Sequence, residues 1–235
     1  MPIRQKSVGV TLQNQARILT KSSWTPYVCP FVVFIVLTSP ANYFPDSAHL
    51  LYLAKTLLVG GLLWFWRHHY LSDLAPRLSP AGYLAAAAAG LAVLPVWILP
   101  EALLPQLGAS AGFNPYAFGC PPAAVPALIA VRLVGAALVV PVMEELFWRS
   151  FLLRYFINPN FQKVALGTFT WFSFAAVVIL FGLEHHRWLQ GMMAGAVYTA
   201  LVVWQKSLRG CIIAHALTNL GLSVYVIATE QWMFW

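Results

Sequence analysis

Six polar side chains could do chemistry in this chain, and all lie in apolar sequence long enough to span a bilayer. Glu144, Glu145 and Arg149 fall together in PVMEELFWRSFLLRYF. His185 follows VVILFGLE, and His215 with Asn219 sits in CIIAHALTNLGLSVYVI. An ionisable side chain at membrane depth costs a few kcal/mol even on lenient insertion scales, and such residues are retained mainly for function. The pattern points to a membrane enzyme whose site lies inside the bilayer.

Glu145 and Arg149 are four apart, so on a helix they share a face, with the acid before the base in the favourable order. Arginine can hold a carboxylate bidentately. Glu144 is rotated about 100° from Glu145 around the helix and cannot easily make the same contact. One carboxylate is therefore paired and the other is left to act as a general base. His185 lies one turn after Phe181 and is the member of its cluster best placed to face inward, with His186 and Arg187 solvated beside it. His215 and Asn219 again share a helix face and can both donate to one oxygen, as an oxyanion hole requires. A competing reading has Glu144, Glu145 and Arg149 snorkelling at an interface, His185 at a helix end, and His215 with Asn219 as interhelical glue. A single shared pocket accounts for all three groups at once.

The elements that must position these residues follow from composition. The chain is 60% hydrophobic and 9% charged over 235 residues, against about 25% charged in a soluble domain. A fold of this size cannot hide that much apolar surface from water, so the expected class is all-α: a polytopic membrane helical bundle of about seven spans. The candidates are roughly 26–39, 49–66, 82–99, a long fourth from 124 toward 156, then 164–184, 188–205 and 210–229. The fourth is too long for one untilted crossing, and Pro141 could kink it. The LAAAAAG run suits close helix packing. Three organisational units are expected: a basic tail or interfacial helix over 1–24, N-terminal spans and an outer loop over 25–123, and a core over 124–235 that holds every candidate residue.

The formal charge of +7 does not mark a nucleic-acid binder. Arg4, Lys6, Arg17, Lys21, Arg67, Arg77, Arg149, Arg154, Lys163, Lys206 and Arg209 all fall on one side of the expected crossings, and only Arg187 falls clearly on the other. That asymmetry is the positive-inside rule and places the N-terminus in the cytoplasm. Cys29, Cys120 and Cys211 are far apart and form no C-x-x-C pair, so neither a disulfide framework nor a thiolate metal site is indicated.

The motifs E-E-x-x-x-R at 144–149, F-x-x-x-H at 181–185 and H-x-x-x-N at 215–219, in this order within membrane helices, resemble the CPBP family of intramembrane proteases, which includes the type II CAAX prenyl endopeptidases. The string PVMEELFWRSFLLRYF also resembles the bacterial branch found beside exosortase and PEP-CTERM sorting systems, which implies a bacterial plasma membrane. The resemblance implies a cavity between helices, open to the cytosolic side, in which Glu144 with His185 activates a water. His215 and Asn219 would stabilise the oxyanion, Glu145 would stay paired with Arg149, and Phe181 would set the position of His185. The substrate implied is a membrane-anchored or lipidated protein. Metal involvement stays open: Glu144, His185 and His215 could supply the three ligands of a catalytic zinc, but no H-E-x-x-H pair is present.

Two other classes stay open beside a peptidase: a non-catalytic scaffold or immunity partner, and an ion-coupled transporter, since intramembrane Glu and His also form relays. Straight crossings expose a difficulty for the pocket. They place His185 near the outer end of the fifth span, Glu144 at mid-depth and His215 nearer the cytosol. The three meet only if helices are tilted, broken or start outside the hydrocarbon.

Overall fold

Helix starts follow local capping chemistry. Ser79 Oγ accepts from the Gly82 N–H at 3.1 Å, with Pro80 in the first turn. Thr170 Oγ1 accepts from the Ser173 N–H at 3.1 Å, and Ser207 Oγ accepts from the Arg209 N–H at 3.3 Å. In each case a short oxygen side chain satisfies a first-turn N–H that has no partner within its helix. The computed structural model describes residues 24–39, 44, 47–101, 103–108 and 112–235. The basic segment 1–23, with Arg4, Lys6, Arg17 and Lys21 and the expected tail or interfacial helix, lies outside the described residues.

The described residues form helices and no strand: α1 (Thr25–Thr38), α2 (Ala48–Phe65), the short α3 (Leu71–Leu74), α4 (Pro80–Ile98), a composite α5 (Pro122–Tyr155), α6 (Trp171–Leu183), α7 (Trp188–Gln205) and α8 (Leu208–Thr229). A last 3-10 turn, Trp232–Phe234, folds back over the end of α8. Each expected span contains a helix. Four of them, α2, α4, α5 and α8, are long and apolar enough to cross a membrane, and α1 and α6 are shorter apolar helices. Leu57, Trp64, Phe65, Leu84, Trp171 and Phe172 are exposed on the outside of the bundle, as lipid requires and water would not tolerate. The architecture is a helical membrane bundle.

Two departures from the expected spans build the site. The fifth span does not begin at 164: Gly167 has φ +74°, its carbonyl accepts from Lys206 Nζ at 2.6 Å, and helix starts only at Trp171. Seven residues fewer of helix bring His185 about 10 Å nearer the Lys- and Arg-rich end of the bundle, toward the level of Glu144 and His215. The fourth span runs through to Tyr155 but is broken by two π-helical stretches, Gly135–Val139 and Leu146–Leu152, which flank the α-helical turn Val140–Glu145. Pro141, the residue expected to kink this span, sits between the two stretches. Proline has no N–H and its ring clashes with the carbonyl four residues back, and widening the preceding turn removes that clash.

The core is tightest where α4 meets α8. A Cβ on Gly90 would stand 2.3 Å from the Ala214 carbonyl oxygen, so only glycine lets the two backbones touch. The contact is completed by Thr218 Oγ1, which donates to the Gly90 carbonyl at 2.8 Å. At the basic end, Asp73 of α3 gathers Arg154 at 3.1 Å, Ser150 at 2.6 Å and the Tyr27 hydroxyl at 3.1 Å, tying α1, α3 and α5 together. At the other end, Arg187 is not solvated as expected. It is buried, and its Nη2 donates to Glu101 Oε1 at 2.6 Å. Burial works to raise the Glu101 carboxyl, but hydrogen bonds from Arg187 and Gln106 outweigh it and hold the group below the ordinary carboxylate range.

Gly90→Ala is expected to lower thermal stability in detergent by about 1–3 kcal/mol through overpacking. Gly61→Ala, where a Cβ meets nothing within 4 Å, should cost nothing. Equal melting temperatures for the two variants would contradict the close approach.

Candidate active site

Glu145 is fully buried, and one of its oxygens does two jobs. Oε1 accepts from Arg149 Nη1 at 3.1 Å and from His215 Nδ1 at 2.8 Å. The i,i+4 pairing read from the sequence is present although the helix widens into its π stretch at Leu146. Arg149 has no exposed surface. Its Nη2 donates to the Gly195 carbonyl at 3.3 Å, and its guanidinium carbon lies 4.2 Å from the centre of the Phe181 ring. Glu145 and Arg149 therefore do not snorkel; they join α5 to α7 and α8 in the interior.

His215 is held on both faces of its role. Nδ1 carries the proton that goes to Glu145, because a carboxylate only accepts. Its ring stacks on Tyr198, with centroids 4.9 Å apart and planes at 17°. The Tyr198 hydroxyl donates to Thr218 Oγ1 at 2.8 Å, which links the imidazole to the Gly90 contact. That leaves Nε2 as the free atom, and it stands 3.9 Å from Glu144 Oε2. Glu144 is buried, and Oε2 has no hydrogen-bond partner.

His185 caps the end of α6. Its Nδ1 meets the Phe181 carbonyl at 2.7 Å; a carbonyl only accepts, so Nδ1 donates and Nε2 keeps its lone pair. The Phe181 ring packs on it at 4.7 Å, with Trp97 on another side at 5.4 Å. Asn219 Nδ2 donates to the Ala136 carbonyl at 2.8 Å. The π register explains why that carbonyl is available: Val140 N–H bonds Gly135, so the donor due to Ala136 would be residue 141, a proline without N–H. One amide hydrogen of Asn219 fills that place, and the other remains.

Glu144, Phe181, His185, His215 and Asn219 all line one cavity of about 210 Å³, with Tyr198 in its wall. Five of the expected residues thus share one space, and Glu145 with Arg149 lie directly behind it. Three contributors carry no sequence signal that separates them from core. Tyr198 and Thr218 stand in ordinary apolar helix, and Trp148 in PVMEELFWRSF reads as an aromatic filler, yet its Nε1 donates to Glu184 Oε2 at 3.0 Å. Glu184 had a signal, an acid directly before His185, that the F-x-x-x-H spacing overshadowed.

A catalytic zinc, left open with Glu144, His185 and His215 as candidate ligands, has no compact donor set here. Among the described residues no three His, Cys, Asp or Glu side chains gather closely enough to hold a metal ion.

Pro141 and Asn219 should be energetically coupled. Asn219→Ala is expected to destabilise by about 1–3 kcal/mol by leaving a partly buried carbonyl unpaired. In a Pro141→Ala background, residue 141 regains an N–H and the same substitution should cost clearly less. A double-mutant cycle on thermal or denaturant unfolding reads the difference; additive values would refute the link.

The family model described as Type II CAAX prenyl endopeptidase Rce1-like matches residues 126–221, a stretch that contains Glu144, Glu145, Arg149, Phe181, His185, His215 and Asn219. No curated protein and no solved structure matches the chain. The three motifs converge on one cavity inside that matched stretch, and residues 126–221 are thus similar to the Rce1-like type II CAAX prenyl endopeptidase family.

Proposed function

We propose that the chain is an intramembrane endopeptidase that hydrolyses a peptide bond in the tail of a membrane-anchored or lipidated protein. One observation carries the reading: a buried Glu144 oxygen without a partner faces His215 Nε2 across 3.9 Å, in a cavity also lined by His185 and Asn219. Helix glue accounts for the bonds of Glu145, Arg149 and Asn219. It does not account for a carboxylate kept buried and unbonded, because that arrangement costs stability and returns none.

The gap is too long for a hydrogen bond and fits one oxygen atom bonded to both groups. An oxygen about 2.8 Å from each would see them at roughly a right angle. In the scheme, Glu144 takes a proton from a water at that position while the lone pair on His185 Nε2 orients it. The oxygen adds to the carbonyl carbon of the substrate. The second amide hydrogen of Asn219 and His215, once its free Nε2 has taken a proton from solvent, hold the oxyanion, and Glu144 returns the proton to the leaving amine as the C–N bond breaks. Zinc enters no step. The concentration of Lys and Arg at one end of the described bundle supports that end facing the cytoplasm.

Glu144→Gln should lower cleavage by about 10²–10⁴-fold, the usual contribution of a general base, with thermal stability unchanged or raised. The check is a comparison of C-terminal peptides from membrane proteins in cells carrying wild type or the variant, with melting curves of both purified chains. Identical processing in the two would remove the hydrolytic reading and leave the scaffold.

A further inference from the structure

The cavity has a second end. From Glu144 it runs along α5 to Arg132, where Tyr52, Phe234 and Trp235 complete the wall. Three buried arginines in this structure each have an acid: Arg149 has Glu145, Arg154 has Asp73 and Arg187 has Glu101. Arg132 has none among the described residues. Its guanidinium carbon is stacked 4.4 Å from the Tyr52 ring, 5.2 Å from Phe113 and 5.9 Å from Trp235. Its Nε is buried and makes no hydrogen bond. Lys55 Nζ also lies over the Tyr52 ring, 4.9 Å from its centre, and donates to a neutral hydroxyl, Thr38 Oγ1, at 2.9 Å.

Aromatic faces hold a guanidinium flat but leave its N–H edge free, and that edge matches a carboxylate bidentately. A cation within an apolar bundle that lacks an acid of its own is costly unless a partner arrives from outside. The partner's position follows from the helix. Twelve residues separate Arg132 from Glu144, which is about 18 Å along α5. An extended peptide covers about 3.3 Å per residue, so a chain reaching from the attacked carbonyl to Arg132 has about five residues.

We propose that Arg132 is an anion subsite of this cavity, binding a carboxylate of the substrate about five residues from the scissile bond. The carboxylate is either the free chain terminus or an acidic side chain. This inference rests on the reading of the cavity as a peptide-hydrolysis site. The subsite measures where the substrate is cut relative to its negative charge, and it excludes chains that offer no anion at that distance.

Binding is measured without turnover, on the full chain carrying Glu144→Gln in detergent, through the rise in melting temperature with ligand. The probes are N-dodecanoyl alanine–leucine peptides of graded length in three forms: free acid, C-terminal amide, and amide with glutamate in last place. Free acids near five residues long should bind about tenfold or more tighter than the amides, as a charge-assisted bond predicts. Arg132→Gln should abolish that preference while leaving amide binding in place, and Arg132→Lys should keep part of it. If the glutamate amide binds like the free acid, an acidic side chain serves as well as a terminus; if it binds like the plain amide, the terminus is the anchor. Equal binding of acid and amide by the Glu144→Gln protein, or a preference that survives Arg132→Gln, overturns the subsite. The first of these comparisons needs no change at Arg132. Loss of the acid preference alongside Glu144-dependent cleavage would sink the subsite alone, and an acid preference without such cleavage would sink the hydrolase reading alone.

Discussion

A single carboxylate oxygen, Glu145 Oε1, holds the arginine of its own helix and the imidazole of another. Removing one member of a buried ion pair costs about 3–5 kcal/mol because the remaining charge has nowhere to go. The bundle therefore has a strong reason to keep α5, α7 and α8 in one arrangement. With Glu145 engaged, Glu144 one residue earlier must point elsewhere, and it points into the cavity. The distinction between a structural and an available carboxylate follows from helix rotation plus one interhelical bond.

The backbone of α5 is as much part of the site as its side chains. Two π stretches bracket the Glu144–Glu145 turn, and the first frees the Ala136 carbonyl that Asn219 occupies. A regular α-helix would have satisfied that carbonyl internally and left Asn219 to orient itself. Pro141 thus sets the direction of an amide on a different helix without touching it. The Gly90 contact does similar work from the other side. It seats α8 against α4 through Thr218, and Thr218 in turn fixes the tyrosine on which His215 stacks.

Charge placement divides the molecule into two polar ends and a polar interior. Asp73 with Arg154 closes the basic end, and Glu101 with Arg187 closes the opposite one. These pairs bring loops and helix ends together around the rim, and in the cavity between them two buried polar atoms of α5, Glu144 Oε2 and Arg132 Nε, have no hydrogen-bond partner. A bundle built purely for stability would not keep both.

Much of this was legible in the chain itself. Apolar runs set the helices, and the i,i+4 spacings of Glu145 with Arg149 and of His215 with Asn219 set which residues share a face, because helical geometry is local. The convergence of these faces was not legible. Straight crossings put His185 at the wrong depth, because the apolar run from 164 reads as one span, whereas the helix starts only at Trp171, after the Thr170 cap and a Gly167 that meets Lys206 at the end of a later helix. The roles of Tyr198 and Thr218 were hidden for the same reason, since an apolar stretch reads as core until its neighbours are known. Sequence by itself determined the membrane bundle, the helix faces and the candidate site residues, all of which depend on neighbours within a turn or two. Tertiary structure alone decided that the groups meet, which carboxylate stays free and which arginine lacks an acid, because those outcomes depend on contacts between helices far apart along the chain.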